Sequence, residues 1–257
     1  MVAIRQLMTG GENMNVGDEL GRFLGGMSGT GDSALAHGSE VRRFPFVTIS
    51  RQSGAGGHTL AETLIKVMDQ EEDTALFKGW QLFDQKLCEK LADDYKLNMS
   101  MESLLSEEYR SQIEVFVQGL FSKLPDQNLT MRRMFEIIRS LATVGKVIIV
   151  GRGGSQVTHK LDLGVHVRLV APEHIRVKRL AGLLGQSEEH AKQTMRKQDH
   201  DRVRLIKSFF AADIDDPLLY DAVWNTGTVS VEAIAEAVVS IIKHRVAERH
   251  PAPVNIG

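Results

Sequence analysis

The sequence predicts an α/β fold: a parallel five-stranded sheet with helices on both faces, a helical insertion and a helical lid. Three observations lead there. Short apolar runs alternate with longer segments of helical spacing, and the loop Ser50–Thr59 is rich in glycine and directly follows the first apolar run, Phe46–Ile49. A second turn of small residues, Gly151–Gly154, follows the clearest buried strand, Val147–Val150. Strand and helix signals in alternation imply parallel strands joined by helical crossovers, because such a sheet needs helices over both faces.

Strands are predicted at 46–50, 80–83, 146–150, 165–170 and 220–225. Helices are predicted at 59–70, 84–96, 101–121, 129–144, 173–184, 188–210 and 230–248, each from apolar residues recurring at three and four. The two helices between 101 and 144 add no strand, so they are expected as an inserted layer over an open edge of the sheet. Residues 1–40 are set apart by Gly10-Gly11, Gly25-Gly26, Gly29 and Gly31 among Ser, Thr, Asn and Asp. That composition reads as a flexible arm. The folded domain is expected over 41–250, with a lid at about 187–212 and a tail at 251–257.

Composition excludes several classes. With 31 basic and 33 acidic residues the net charge is −2, which gives no reason to expect nucleic acid or another polyanion as partner. The single cysteine, Cys88, rules out an intramolecular disulfide and a cysteine-only metal cage. It falls at an apolar helical position and reads as a core residue. No apolar run reaches the ~18 residues that span a bilayer, and the N-terminus lacks an apolar secretory core, so a cytoplasmic protein with no membrane partner is expected. The oligomeric state is open.

The chemistry begins at Ser53-Gly54-Ala55-Gly56-Gly57-His58-Thr59. A bound phosphate needs several backbone N–H groups converging at the positive end of a helix, and glycines let an anion approach that closely. Strand, glycine loop and helix start stand here in that order. The motif G-x-x-x-x-G-K-x-[ST] places Arg51 at its first glycine, Gly56 at its second and Gly57 at its lysine, with Thr59 at the Mg²⁺-binding hydroxyl. The lysine is absent. A plain glycine-rich turn into a helix is the competing reading. A dinucleotide site is not, since Ser53 to Gly57 lacks the G-x-G-x-x-G spacing.

Other candidates also fall at the carboxyl ends of strands, where α/β folds bind ligands. Arg152, in a turn of small residues, can offer a planar guanidinium to a phosphate. Arg196, Lys197, Arg202, Arg204 and Lys207 crowd one segment with Asp199 and Asp201. Spacings such as Lys197 to Asp201 and Asp201 to Arg204 pair opposite charges on one helical face. Such a face is either self-paired in solvent or a lid that neutralises a transferring phosphoryl group.

These segments resemble, in order, the cytidylate kinase-like family of P-loop nucleoside monophosphate kinases. Ile49–Thr59 resembles the family's S-G-A-G-K-G-T loop, Val147–Gly154 its strand and G-R-D, and Val165–Leu180 its strand-A-x-P-E-x-R-x-x-R. Lys197–Arg204 resembles the lid pattern R-D-x-x-D-x-x-R, and Leu219–Gly227 the last strand with its nucleotide-base loop. The resemblance implies a P-loop NTPase fold and ATP-dependent phosphoryl transfer with Mg²⁺, a CMP-like acceptor being expected. It implies that Ser53–Thr59 surround the β-phosphate, that Thr59 contacts Mg²⁺, and that Arg152 grips the acceptor phosphate. Lys197, Arg202 and Arg204 become lid cations, Asn225, Thr226 and Gly227 line the adenine pocket, and Asp84 is an acceptor-side residue or a helix N-cap. Arg176 and Arg179 start the helix leading into the lid, and a structural role, pairing with Glu173 and other acids, is the equal alternative. The chain departs from the pattern at Gly57 for lysine, Gly153 for the aspartate of G-R-D, and Lys197-Gln198 for the first R-D of the lid. Arg51 is the expected replacement for the lysine and His58 the weaker one, being only partly protonated at neutral pH. The alternative is a non-catalytic nucleotide-binding or regulatory module.

Overall fold

A computed structural model of the protein describes residues 44–84, Cys88, 107–121 and 129–249. The elements are β1 (Phe46–Arg51), α1 (Gly57–Met68), α2 (Thr74–Phe77), β2 (Gln81–Phe83), α3 (Glu107–Phe121), α4 (Leu129–Val144), β3 (Val147–Val150), α5 (Gly154–Thr158), β4 (Gly164–Val170), α6 (Glu173–Leu184), α7 (Glu188–Phe210), β5 (Ala222–Asn225) and α8 (Val231–Arg249). The five strands form one parallel sheet in the order β2-β3-β1-β4-β5. β1 is central, and its two neighbours come later in the chain from opposite sides. The crevice at its carboxyl end is therefore the switch point where ligands of such sheets bind.

Successive side chains of a strand point to opposite faces, and the two faces differ here. On one, Val47 and Ile49 of β1, Ile148 and Val150 of β3, and Val165, Val167 and Leu169 of β4 pack under α1 and α8. On the other, Phe46, Val147 and Ile149 meet Phe135, Ile138 and Leu141 of α4 and Val157 of α5. This second face also buries polar side chains, Thr48 on β1 and His166 and Arg168 on β4. They are paired: Thr48 Oγ1 lies 2.8 Å from His166 Nδ1, and Arg168 Nη1 donates to Ser50 Oγ at 2.9 Å. Buried polar groups without such partners would cost stability.

Several expectations change. α4 covers a face of the sheet, over β1, β2 and β3, not its open edge, because Met134, Phe135, Ile137, Ile138 and Leu141 turn toward the strands. α1 begins at Gly57, two residues earlier than the apolar spacing gives, and β5 begins at Ala222, not 220. Tyr220 instead follows a short 3₁₀ turn at Pro217–Leu219 and donates its hydroxyl to the Ile214 carbonyl at 2.9 Å. α2 and α5, four and five residues long, are too short to show a helical period. Cys88 is helical and buried, as its apolar position implied. The rest of the helix predicted at 84–96, the arm and the tail lie outside the described residues. Among the described residues no helix is long and apolar enough to cross a membrane.

Candidate functional site

The crevice is built from four segments: the loop after β1, the turn after β3, the first turns of α6 and the inner face of α7. The loop carries Gly54 at φ 79° and leads into Gly56, which caps α1 without a side-chain hydrogen bond. The first-turn N–H groups of an α-helix have no intrahelical acceptors, so here they face the crevice uncapped by a side chain. Gly54 is also required by contact, since a Cβ there would lie 2.5 Å from the Arg176 carbonyl oxygen. α6 thus rests directly on the loop.

Arg51, the last residue of β1, turns its side chain over the position where the motif has lysine. A Cβ on Gly57 would stand 3.0 Å from Arg51 Cγ, and one on Gly151 would clash with Arg51 Nη1. Both glycines make room for this arginine. Burial lowers its pKa to about 10, helped by repulsion from Arg202 and Arg152 and opposed by Asp84 and Asp199. Arg51 stays cationic at neutral pH, in a cluster of like charges. Arg152 occupies a left-handed backbone position, φ 53°, between Gly151 and Gly153 at φ 84° and 68°. Few non-glycine residues adopt this conformation, and it sets the turn that delivers the arginine to the cluster.

The inner face of α7 is defined by Ala191, Met195 and Ile206, all buried. Ala191 and Met195 pack against Val177, Leu180 and Ala181 of α6. Asp199 and Arg202 fall on the same stripe, four and seven residues after Met195, while Lys197 and Arg204 are exposed on the outer face. Asp199 is the hub: its Oδ1 accepts from Ser53 N–H at 2.7 Å and from Arg202 Nη1 at 2.9 Å, and its Oδ2 from Arg176 Nη1 at 2.6 Å. Ser53 Oγ donates to Gln198 Oε1 at 2.5 Å. Burial lowers the pKa of Arg202, against the raising effect of Asp199. Glu173, expected to pair with Arg176 or Arg179, instead takes Lys192 at 2.8 Å and Arg196 at 3.6 Å.

The loop after β5 is tied to the phosphate loop. Thr226 Oγ1 donates to the Ala55 carbonyl at 3.0 Å, and Arg179 of α6 donates to both Thr226 Oγ1 and its carbonyl, at 3.0 and 2.8 Å. Asn225 Oδ1 accepts from Gly227 N–H at 2.9 Å, which closes the turn. On the other side of the crevice, His58 Nε2 stands 3.4 Å from Asp84 Oδ2. Thr59 is exposed in the first turn of α1. Among the described residues no cluster of three or more His, Cys, Asp or Glu could hold a metal. A Mg²⁺ here would therefore depend on Thr59 and the oxygens of a bound polyphosphate.

The structure thus brings Arg51, Arg152 and Arg202 together around Ser53–Thr59 and leaves Lys197 and Arg204 outside. Sequence reasoning pairs Lys197, Asp201 and Arg204 on one face, sees Gln198 only as a departure from the lid pattern, leaves Arg176 open between the lid helix and a structural role, and assigns Asp199 no contact with the glycine loop. The apolar stripe Ala191–Met195–Ile206 is the signal that separates the two faces of α7. Loop, switch point and converging guanidinium groups suit a polyphosphate, and they define a P-loop kinase-like protein.

Residues 46–228 match the model of the Cytidylate kinase-like family, and the chain belongs to that family. No curated protein matches it. Among solved structures, an uncharacterized protein from Eubacterium ventriosum shares the fold at TM-score 0.60 and 20% identity, over 78% of this chain and 98% of that one. A shikimate kinase from Acinetobacter baumannii in complex with shikimate aligns at TM-score 0.39 and 16% identity, over 78% and 94% of the two chains. A shikimate kinase from Bacteroides thetaiotaomicron aligns at 0.42 and 11%, over 79% and 99%.

Proposed function

We propose that the protein transfers a phosphoryl group from ATP to the phosphate of a nucleoside monophosphate, a CMP-like acceptor being the best match. The observation that carries this reading is Arg51, laid across Gly57 with its guanidinium beside Arg152 and Arg202. It supplies a cation at the place from which the motif's lysine is missing. ATP would supply the phosphoryl group, and Mg²⁺ would offset part of the charge of its phosphates. The loop N–H groups of Gly54 and of Gly56 through Thr59 would hold the phosphates, those of Ser53 and Ala55 being bonded to Asp199 and the Gln52 carbonyl, while the Thr59 hydroxyl would hold the metal and Asn225–Gly227 would border the base. Arg152 takes the acceptor phosphate, with Asp84 and His58 on the same side. Arg51 and Arg202 offset the negative charge that grows on the transferring oxygens. Lys197 and Arg204 enter this scheme only through a movement of α7.

Turnover of ATP by the purified protein against a panel of nucleoside monophosphates tests the reading. Activity with a pyrimidine monophosphate is expected, and Arg152→Ala should raise the acceptor KM more than the ATP KM. ATP binding without transfer to any acceptor would assign the chain to a non-catalytic nucleotide-binding role. Gly151→Ala offers an internal check, because its Cβ would displace the Arg51 guanidinium. It should lower kcat/KM by about tenfold or more and by clearly less in the Arg51→Ala background, where the strain of an alanine at φ 84° is what is left. Equal losses in both backgrounds would separate Gly151 from Arg51.

A further inference from the structure

Asp199 makes contacts of the kind expected of a phosphate oxygen. Its carboxylate accepts from a backbone N–H of the phosphate loop, at Ser53, and from two guanidinium groups, Arg176 and Arg202, all within 2.9 Å. Backbone N–H plus arginine is the donor set that proteins use for phosphate. Gln198, the preceding residue, accepts from Ser53 Oγ, so two consecutive residues of α7 clasp one residue of the loop. Arg176 also donates to the Ser53 carbonyl at 3.2 Å and to the Ala171 carbonyl at 2.9 Å, which fixes its guanidinium independently of Asp199. The donors are therefore partly held by α6 and the loop, while the acceptor comes from α7.

We propose that Asp199 is a resident anion at the mouth of the phosphate loop, which the terminal phosphate of a polyphosphate ligand displaces, so that binding releases α7 from Ser53. The inference rests on the reading of Ser53–Thr59 as a phosphate loop, and not on catalysis. A carboxylate and a phosphate compete for the same N–H and guanidinium groups, and they repel one another if both remain. The apparent affinity for the ligand is lowered by the fraction of molecules in which Asp199 holds its place. Arg202, three residues after Asp199 on the same helix, exchanges the carboxylate for the phosphate when Asp199 gives up its place. Lid and ligand are thereby coupled through one carboxylate.

Inorganic tripolyphosphate is the probe, since it carries no base and no acceptor. Its binding is measured by calorimetry to the full chain, wild type and Asp199→Asn. The variant keeps the size of the side chain and loses the charge, and about tenfold tighter binding is expected. Unchanged or weaker binding overturns the proposal, because a residue that merely orients Arg176 and Arg202 would weaken binding when neutralised. A second measurement needs no variant: hydrogen exchange of wild-type α7 between Met195 and Ile206, with and without saturating tripolyphosphate. Exchange there should speed up on binding; a bound ligand with exchange in α7 unaltered or slowed overturns the latch. Failure of tripolyphosphate to bind either protein overturns it as well. Tight binding and a responsive α7 without phosphoryl transfer to any monophosphate leave the latch standing and remove the kinase assignment instead.

Discussion

Arg51→Ala should lower kcat/KM for the proposed phosphoryl transfer by about 10²- to 10³-fold, the usual loss when one donor to transition-state charge is removed. The expectation follows from how the side chain is held. Its stem lies against Gly57 and its head against Gly151, so the guanidinium is placed by two positions that carry no side chain. Its charge is buried, and neighbouring arginines repel it, which lowers its pKa to about 10. A cation in that environment is stabilised by an incoming anion more than an exposed one would be. The loss should fall mainly on kcat, because contacts made only in the transition state leave KM nearly unchanged. Arg51→Lys should recover part of the rate, since it returns the charge without the planar fork. Steady-state kinetics of the three proteins decide the matter, and equal kcat for wild type and Arg51→Ala would remove Arg51 from the reaction.

At the opposite end of β4, His166 should make stability fall as the solution turns acidic. Its ring is buried beside Phe46, with centroids 5.9 Å apart, and Nδ1 bonds Thr48. Burial lowers its pKa to about 4, with repulsion from Arg245 and His159 adding to the effect and Asp221 opposing it. In the unfolded chain the ring takes a proton near pH 6.5, and in the folded chain only near 4. Between those values the unfolded state holds more protons, so stability is complete above pH 6.5 and is lost progressively down to about 4. The difference amounts to ~3 kcal/mol. Urea unfolding at pH steps from 7.5 to 4.5 should show a steeper decline for wild type than for His166→Gln, and parallel declines would show that the ring titrates normally.

Much of this architecture is readable from residue order, and the reasons differ by element. β1, β3 and β4 are legible because a strand buried on its α1/α8 face needs apolar residues at every second position, as Val165, Val167 and Leu169 show. The polar residues between them, His166 and Arg168, are a sign that the other face of β4 does more than pack. The phosphate loop is legible through its glycines although its lysine is missing, since backbone approach and not one side chain shapes it. Arg51 and Arg152 were readable because each ends a strand at the switch point. The division of α7 into two faces was not: charged residues alone fit several helical pairings, and only Ala191, Met195 and Ile206 fix which side turns inward. Asp199 escaped for the same reason, its partners Ser53 and Arg176 being far away in sequence. The order of the strands is likewise a property of long-range pairing that local spacing does not carry.

The bond from Thr226 to Ala55, held by the two arms of Arg179, bears on where motion can occur. It clamps the loop after β5, the phosphate loop and α6 into one block, with Arg176 adding a second bolt through the Ser53 carbonyl. Three segments that are distant in the chain must then move together or not at all. The freedom that is left lies in α7, whose first half packs on α6 and whose Gln198 and Asp199 reach the loop through side chains alone. The molecule is in this sense an anvil with one jaw already resting on it, on a surface whose shape is set before anything arrives.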